Sequence, residues 1–247
     1  MNNRQREILK ILAEHNRIKV KQLAEKLKVS TVTVRQDLNF LEEEGFLKRV
    51  HGGVTLRNSD DISIRLTFNY EQKLRIARKA SEFVQPGETI MVEGGSTNTI
   101  LVKEVSKKEG ITIITPNIYI ARESRKCGIK NIILLGGLYQ WESESLIGSL
   151  TRVCIDHVNF KKAFIGVDGF TRDNGFTSKD MMRAEIAIYI ASKADEVFIV
   201  TDSSKFGRVE LVKLFDAGSI NYLITDEGIP SEDREYILES GASVFIA

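Results

Sequence analysis

A short segment near the N-terminus carries two side chains suited to reading the edges of DNA bases. Arg35 and Gln36 directly follow the apolar Val34. A guanidinium can donate two hydrogen bonds to guanine, and a primary amide can pair bidentately with adenine. Lys48 and Arg49 lie further along the chain, where their charges suit DNA phosphates. The residues predicted to bind DNA are Ser30, Thr31, Thr33, Arg35, Gln36, Lys48, Arg49 and His51.

The spacing of apolar residues predicts the elements that position these groups. Apolar residues recur with helical periodicity over about 3–15 and over 20–27, which predicts two amphipathic helices. Val34, Leu38 and Leu41 continue the pattern and form the buried stripe of a third helix. At about 100° per residue, the arginine and the amide that follow the first of these residues fall outside the stripe and face solvent.

Turn and cap residues mark the ends of the third helix and a hairpin after it. Ser30 suits the N-cap because its hydroxyl can accept from an otherwise unpaired backbone N–H, and residues 28–29 leave room only for a tight turn. Gly45 suits the left-handed conformation that ends many helices. Residues 46–50 alternate like an edge strand, and the glycines at 52–53 predict the turn of a small basic wing.

Charge favours nucleic acid as the partner of this predicted winged helix-turn-helix. Residues 1–58 carry twelve Lys and Arg against seven Asp and Glu, a net charge of +5. Residues 59–247 carry 23 against 27, a net charge of −4. A basic small domain joined to a mildly acidic larger one fits a DNA-binding head. The alternative is a three-helix module that binds protein, since many small helical domains expose an arginine.

The rest of the chain alternates apolar strands with amphipathic helices. Strands are predicted at 89–92, 111–115, 131–135, 162–167, 196–200, 221–225 and 243–246. Helices are predicted at 70–84, 97–109, 117–126, 146–157, 179–193 and 231–240. This alternation predicts an α/β fold with a mostly parallel, helix-covered sheet and right-handed crossovers.

Five of these strands end in small, polar or charged residues, and such ends meet at one edge of a parallel sheet, where ligands bind. Paired glycines allow close approach of the backbone, and hydroxyls with a helix N-terminus can bind an anion. The predicted ligand is a polyol phosphate, with Lys205 as the cation for phosphate and Asp168 and Glu93 as acceptors from hydroxyls. The alternatives are a turn or cap acid for Asp168 and a solvated loop lysine for Lys205. The predicted effector-binding residues are Glu93, Gly94, Gly95, Ser96, Thr97, Thr115, Asn117, Gly136, Gly137, Asp168 and Lys205.

A polar break at 57–61 separates the two regions. It predicts a DNA-binding domain at 1–56, a linker at 57–70 and an effector-sensing domain at 71–247. No apolar run is long enough to span a bilayer, and the N-terminus does not resemble a signal peptide, so we expect a cytoplasmic protein. The histidines and cysteines lack ligand spacing, so no metal or cofactor is expected. The two cysteines are expected to be free thiols, with a disulfide as the alternative.

Several of these motifs resemble one known family. Arg4-x3-Ile8-x3-Leu12, then seventeen residues, then Ser30-x2-Thr33-Val34-Arg35-Gln36-Asp37-Leu38 resembles the N-terminal signature of the DeoR family of bacterial sugar-metabolism regulators. Residues 49–53 resemble that family's wing. The stretches at 93–97, 115–117, 136–137, 166–169, 180–185 and 202–207 resemble its sensor domain, which is similar in fold to ribose-5-phosphate isomerase and the acyl-CoA transferases.

The resemblance implies a transcriptional regulator, usually a repressor, that a phosphorylated sugar or polyol releases from its operator. It adds Glu185 to the predicted effector site. Three positions depart from the family: Gln36 replaces a second basic residue, Glu93 replaces an aspartate, and Pro116 interrupts a Thr-Asn pair. Because paired heads would read two half-sites of double-stranded DNA, a homo-oligomer, dimer or tetramer, is expected, with no membrane partner.

Two other functions remain open on residue types alone. A sugar-phosphate isomerase with an appended DNA-binding head needs a carboxylate base and a cation near the developing oxyanion, which Glu93, Asp168 and Lys205 could supply. A constitutive DNA-binding protein would leave the polar strand ends unexplained. Since the catalytic-type residues are joined to a complete DNA-reading module, we expect a regulator and not an enzyme.

Overall fold

The chain divides after Phe68 into two compact units, 1–68 and 69–247. The structure is a computed structural model that describes residues 1–15, 17–57 and 60–247. In the first unit the helices are α1 (Asn3–His15), α2 (Val20–Leu27), α3 (Thr31–Glu43) and α4 (Ile62–Arg65), and the strands are β1 (Leu47–Val50) and β2 (Gly53–Leu56).

Local signals produce the predicted winged helix-turn-helix. The Ser30 hydroxyl caps α3 by accepting a hydrogen bond of 3.1 Å from the Thr33 backbone N–H. Gly45 follows α3 with φ +79°, a left-handed conformation that costs glycine little. The wing strands β1 and β2 pair antiparallel, with Val50 opposite Gly53. The wing turn therefore lies at 51–52, one residue before the predicted position.

The range predicted as a linker, 57–70, contains more structure than a linker. The helix α4 lies within it, and Ile64 of α4 is buried in the apolar core of the first unit. The division between the units falls near the end of the range, between Phe68 and Asn69. Asn58 and Ser59, which belong to the predicted polar break, lie outside the described residues.

The second unit contains the α/β fold. Its helices are α5 (Tyr70–Ser81), α6 (Ser96–Val105), α7 (Ile118–Lys126), α8 (Ser149–Asp156), α9 (Met181–Ala191) and α10 (Ser231–Glu239). Its strands are β3 (Thr89–Val92), β4 (Thr112–Thr115), β5 (Asn131–Leu134), β6 (Leu138–Gln140), β7 (Ser145–Ile147), β8 (Lys162–Ile165), β9 (Gly169–Thr171), β10 (Gly175–Ser178), β11 (Glu196–Val200), β12 (Val212–Phe215), β13 (Tyr222–Thr225) and β14 (Ser243–Ile246).

Seven of these strands form one parallel sheet in the order β14-β13-β11-β8-β3-β4-β5. They are the seven strands predicted from the sequence. Alternate residues of a strand point to opposite faces, and both faces of the central strands are buried. On β8, Phe164 stacks on Phe198 with ring centroids 4.7 Å apart, while Ala163 and Ile165 lie in the core that includes α9.

The smaller β elements and one helix boundary differ from expectation. β9, β10 and β12 form an antiparallel sheet, and β6 pairs with β7 as a hairpin; none of these was predicted. The helix predicted at 146–157 begins later, because 145–147 form β7 and Gly148, with φ +89°, separates β7 from α8. A run of three buried residues has no period that distinguishes strand from helix.

No helix among the described residues is long and apolar enough to cross a membrane. Cys127 and Cys154 are free, half-buried thiols.

Candidate functional site

The exposed face of α3 carries the predicted base-reading groups. Arg35 and Gln36 are exposed, whereas Val34 and Leu38 are fully buried in the core of the first unit. Helical periodicity alone therefore separates the polar face from the apolar stripe. Ser30 and Thr33 also have a structural role, because their hydroxyls share a hydrogen bond of 2.8 Å at the start of α3.

A buried acid on the opposite side of α3 holds this helix against α1. Asp37 is buried and accepts hydrogen bonds from Arg4 Nε at 2.5 Å and from Gln5 Nε2 at 3.2 Å. The hydrogen bond to Asp37 raises the pKa of Arg4. Asp37 thus positions the reading helix without presenting its negative charge to DNA. The sequence motif contained both Arg4 and Asp37, but their contact was not inferred from it.

The basic residues of the wing differ in how free they are to contact phosphate. Lys48 and His51 are exposed. Arg49 is exposed as well, but its Nε donates to Glu42 Oε2 at 2.9 Å and its Nη2 donates to Asn39 Oδ1 of α3. Arg49 therefore has charged and polar partners within the first unit.

A further basic residue, Arg17, lies at the wing turn and was not among the residues predicted to bind DNA. A Cβ atom added to Gly52 would lie 2.7 Å from the Arg17 guanidinium, so Arg17 lies against the turn. Its neighbour Ile18 forms an isolated antiparallel bridge with Val54 of β2. That bridge brings the segment between α1 and α2 to the wing, and no local signal in the sequence indicates it.

In the second unit, the order of the sheet reverses between two central strands. From β3 the chain continues to β4 and β5 on one side, and from β8 it continues to β11, β13 and β14 on the other. A crevice opens at the carboxyl ends of the strands at such a reversal, and ligands of α/β proteins bind there. The loops that follow β3 and β8 begin with Glu93 and Gly166.

These two loops are joined by hydrogen bonds. The Gly166 N–H donates to Glu93 Oε2 at 3.4 Å, and the Glu93 N–H donates to Phe164 O at 3.0 Å. The buried Asn98 bridges them, because its Nδ2 donates to Glu93 O at 2.8 Å and to Phe164 O at 3.1 Å. Asn98 was not among the predicted site residues, although it lies one residue beyond Thr97.

The glycine pair after β3 leaves space at the N-terminus of α6. Gly95 has φ +152°, a conformation that favours glycine, and a Cβ atom there would meet nothing within 4 Å. Ser96 and Thr97 follow in the first turn of α6 and are both buried. The Asn117 side chain packs closely against Gly94, since a Cβ atom on Gly94 would lie 2.8 Å from Asn117 Nδ2.

Asp168 lies in the connection between β8 and β9 and is also buried. Its Oδ2 accepts from the Lys179 N–H at 3.2 Å, which ties it to the segment before α9. Its own N–H donates to Thr177 O at 2.9 Å. Part of its capacity as an acceptor therefore stabilises the loop.

The loop after β11 contains the half-buried Lys205 and the buried carboxylate of Asp202. Residues Ser203–Lys205 form one 3₁₀ turn, and the Asp202 side chain caps it by accepting from the Ser204 N–H at 3.2 Å. Burial on its own raises the pKa of Asp202, but the charge of Lys73 and a hydrogen bond from Ser204 outweigh burial, so the pKa is lowered. Asp202 and Lys73 were absent from the predicted site, because no sequence pattern relates α5 to this loop.

Other predicted effector residues have contacts within the protein. Asn117 caps α7 through Oδ1, 3.0 Å from the Ile120 N–H, and its Nδ2 donates to Ser143 O at 2.8 Å. The buried Thr115 accepts from the Asn117 N–H at 3.1 Å. These groups stabilise the start of α7 and the turn between β6 and β7.

The second glycine pair packs against α8. The Gly136 N–H lies 3.4 Å from Cys154 Sγ. A Cβ atom on Gly137 would overlap Thr151 Oγ1 and lie 2.9 Å from Ile147 O. Both glycines therefore allow close packing inside the fold.

Glu185 lies within α9, inside the range of the helix predicted at 179–193. Its carboxylate forms an ion pair of 3.1 Å with Arg152 of α8. The residue that precedes the helix is Asp180, which caps α9 by accepting from the Arg183 N–H at 2.8 Å.

Comparison with known proteins assigns both units. A family model described as a DeoR-like helix-turn-helix domain matches residues 4–60, and one described as the DeoR C-terminal sensor domain matches residues 68–227. The HTH-type transcriptional regulator GolR of Listeria innocua is 32% identical, over 99% of this chain and 98% of its own. The lactose phosphotransferase system repressor of Streptococcus mutans is 30% identical, over 89% of this chain and 90% of its own.

The chain is similar to solved structures at low sequence identity. Translation initiation factor eIF-2B of Pyrococcus horikoshii matches 93% of this chain and 90% of its own, with a TM-score of 0.50 and 17% identity. Ribose 5-phosphate isomerase A of Methanocaldococcus jannaschii matches 56% of this chain and 55% of its own, with a TM-score of 0.41 and 18% identity.

A DNA-reading head and an α/β sensor domain, with transcriptional regulators as relatives over nearly the whole length, define a transcriptional regulator rather than an enzyme. The chain belongs to the DeoR family.

Proposed function

We propose that this regulator represses a sugar or polyol operon, and that a phosphorylated sugar or polyol modulates its binding to double-stranded operator DNA. The observation that carries the proposal is the opening at Gly95, the residue that precedes α6, where an added Cβ atom would meet nothing within 4 Å. By name, the relative from Streptococcus mutans represses a lactose phosphotransferase system. A regulator that binds the chromosome of a bacterium acts in the cytoplasm.

The chemistry of the crevice supports a ligand with an anionic end and a hydroxylated end. The first turn of a helix of ten residues offers unpaired N–H groups and a positive dipole end to a phosphate, with the Ser96 and Thr97 hydroxyls as further donors. Lys205 supplies a full positive charge. Glu93 and Asp168 accept hydrogen bonds from the sugar hydroxyls, which gives the site its preference for a polyol.

The head supports base reading by α3 and backbone binding by the wing. Arg35 and Gln36 contact base edges in the major groove, and Lys48 and His51 contact phosphate. Two heads on one operator would read half-sites about one helical turn, or a multiple of it, apart.

We infer that a second copy of the chain covers an exposed apolar surface of the second unit, here called the β5 face. It consists of Ile133, Leu134, Leu138, Tyr139, Trp141, Leu150 and Val153, all exposed. Strand β5 is an edge of the parallel sheet, and Leu150 lies within van der Waals reach of Gly136, which follows β5. An edge strand with apolar side chains is a template for pairing, and a two-fold arrangement pairs it with its own copy.

The oligomer has a direct test. Leu134→Lys should lower the sedimentation coefficient of the full chain to that of a smaller species. Leu211→Lys serves as the control, since Leu211 is an exposed leucine just before β12 and not part of the β5 face. An unchanged sedimentation coefficient for Leu134→Lys would remove the β5 face from the interface.

The proposed function is tested by a thermal-shift screen of the full chain against inorganic phosphate, glycerol phosphate, pentose phosphates and hexose phosphates. A ligand at about 100 times its dissociation constant adds roughly 2.7 kcal/mol to the stability of the folded state. The matched unphosphorylated sugars are the controls and should give no shift. Fluorescence anisotropy with an operator selected from randomised duplexes then measures whether the best phosphate changes DNA affinity. If no compound of the panel changed either measurement, the proposal would be wrong.

A further inference from the structure

A buried carboxylate after β11 is bonded to the first residue of the second unit. Asp202 is 3% exposed, and its Oδ1 accepts a hydrogen bond of 3.0 Å from Asn69 Nδ2. The two residues are 133 positions apart in sequence. Asn69 directly precedes α5 and directly follows Phe68, the last residue of the first unit. Asp202 thus ties the loop that carries Lys205 to the point where the chain enters the second unit.

A second interaction of Asp202 with α5 is electrostatic. Lys73 lies one turn after Asn69, whose carbonyl accepts from the Lys73 N–H at 2.9 Å, and Lys73 is only 5% exposed. Against the effect of burial, the charges of Lys73 and Lys205 both lower the pKa of Asp202. A buried carboxylate stays ionised only when cations and donors surround it. Asp202 therefore interacts with a cation of α5 and a cation of the effector loop at the same time.

The other side of the loop is fixed separately. Asp226, which follows β13, accepts from the Ser203 N–H at 2.6 Å and from the Ser203 hydroxyl at 2.7 Å. Asp226 joins the turn to the neighbouring strand end, whereas Asp202 joins it to α5. The start of the turn is therefore held by Asp226 independently of the link that Asp202 makes to α5.

We propose that Asp202 is a positioning residue that couples anion binding at Lys205 to Asn69 at the start of α5. This inference rests on the proposed function, since it takes Lys205 as the cation for the effector phosphate. A phosphate beside Lys205 brings a second anion close to Asp202 and competes for the same ammonium group. The contacts of Asp202 with Asn69 and Lys73 then change, and the residue that leads into the DNA-reading unit moves with them. Coupling of this kind needs one element that both sites bias.

The experiment removes the contact without touching either binding surface. Asn69→Gly deletes the amide donor, and glycine tolerates the φ of +51° at this position. We expect the variant to bind the best phosphate of the panel, by calorimetry, and operator DNA, by anisotropy, each within about twofold of the parent. The effect of the phosphate on operator affinity should fall from an expected value of about 5–150-fold in the parent to less than about twofold. By reciprocity, the effect of the operator on phosphate affinity should fall equally.

Two further variants make the result specific. Glu144→Gly is the matched control, because Glu144 is also a non-glycine residue with positive φ in this unit, and its carboxylate pairs with the exposed Arg122. It should keep the parental coupling. Asn69→Asp keeps a residue that accepts this φ but places a like charge against Asp202, and should lose coupling as Asn69→Gly does.

Parental coupling in both Asn69 variants would overturn the inference. Loss of phosphate binding in Asn69→Gly would also overturn it, because Asn69 would then belong to the binding site. If the parent chain responded to no phosphate of the panel, the proposed function would be contradicted. That result comes from the parent chain alone and does not depend on the Asn69 variants.

Discussion

The proposed DNA-reading surface and the proposed effector crevice differ in how their polar residues are used. On the first unit, Arg35, Gln36, Lys48 and His51 are exposed, as helical and strand periodicity predict. Around the crevice of the second unit, the predicted polar residues are mostly buried and already bonded to the protein. An exposed helix face follows from local periodicity, whereas a site built from several loops depends on which loops the sheet order brings together.

Two glycines of the second unit make the contrast concrete. Gly95 and Gly137 both follow a strand end in a glycine pair, and both have φ +152°. A Cβ atom on Gly95 would meet open space, while one on Gly137 would collide with Thr151 and Ile147. The same sequence pattern and backbone conformation therefore leave open space at one position and allow close internal packing at the other.

The largest expected effect tests this pair. Gly137→Ala should lower the free energy of unfolding by about 2–5 kcal/mol, because it combines backbone strain with overpacking. Gly95→Ala should cost only about 1–3 kcal/mol, from backbone strain, yet abolish phosphate binding. Urea denaturation and calorimetric titration measure the two quantities. Parental phosphate affinity in Gly95→Ala would show that no ligand approaches this backbone.

The next largest effect concerns the charge in the crevice. Lys205→Ala should weaken binding of the sugar phosphate by about 1.5–3 kcal/mol, since a hydrogen-bonded charge partner is removed. Asp168→Asn should abolish the response to the sugar phosphate because it removes an acceptor for a sugar hydroxyl, and Glu93→Gln should give a milder loss. Lys213→Ala is the control, because Lys213 is paired with Asp216 on the outside of the unit. If Lys205→Ala kept parental affinity by calorimetry, the phosphate would lie on the N-terminus of α6 alone.

A somewhat smaller effect, on operator binding, is expected for substitutions in α3. Arg35→Ala should weaken operator binding by about 1–3 kcal/mol and leave phosphate binding unchanged. Arg35→Lys keeps the charge but loses the planar fork, so it should retain non-specific binding and lose base selectivity. Anisotropy at matched salt, with operator and scrambled duplexes, distinguishes the two. Parental operator affinity in Arg35→Ala would mean that α3 does not read the bases.

The smallest effect separates two adjacent residues of the wing. Lys48→Ala should weaken binding to all sequences alike and lower the slope of log affinity against log salt by about one. Arg49→Ala should change that slope less, because Arg49 is held by Glu42 and Asn39. The salt dependence of non-specific binding measures both. Equal slopes for the two variants would mean that Arg49 leaves α3 when DNA binds.

Much of the fold was predictable because its signals are local. The Ser30 cap, the left-handed Gly45 and the seven strands of the parallel sheet each follow from residues within a few positions of one another. The hairpin β6–β7 and the small antiparallel sheet were not predictable. Three of their strands, β6, β7 and β9, have only three residues, too few to show a period, and β12 pairs with β10, which is distant in sequence.

The candidate site was predictable as a set of loops but not as an arrangement. The parallel sheet places the strand ends at one edge, which the alternation of strands and helices already implies. It does not say that Asn117 would donate to Ser143, that Gly137 would pack on α8, or that Glu185 would pair with Arg152. Each of those contacts depends on a neighbour that tertiary packing brings close.

The sequence by itself determined the winged helix, the order of the strands along the chain and the chemistry of each loop, because periodicity and capping act over one or two turns. Only the tertiary structure decided that β8 lies beside β3, so that Gly166 meets Glu93, and that α5 lies beside the loop after β11, so that Asn69 and Lys73 meet Asp202. Gly166 lies 73 residues from Glu93 in sequence, and Asp202 lies 133 residues from Asn69. The physical reason is that such contacts follow from burial of both sheet faces and from strand order, which no local pattern encodes.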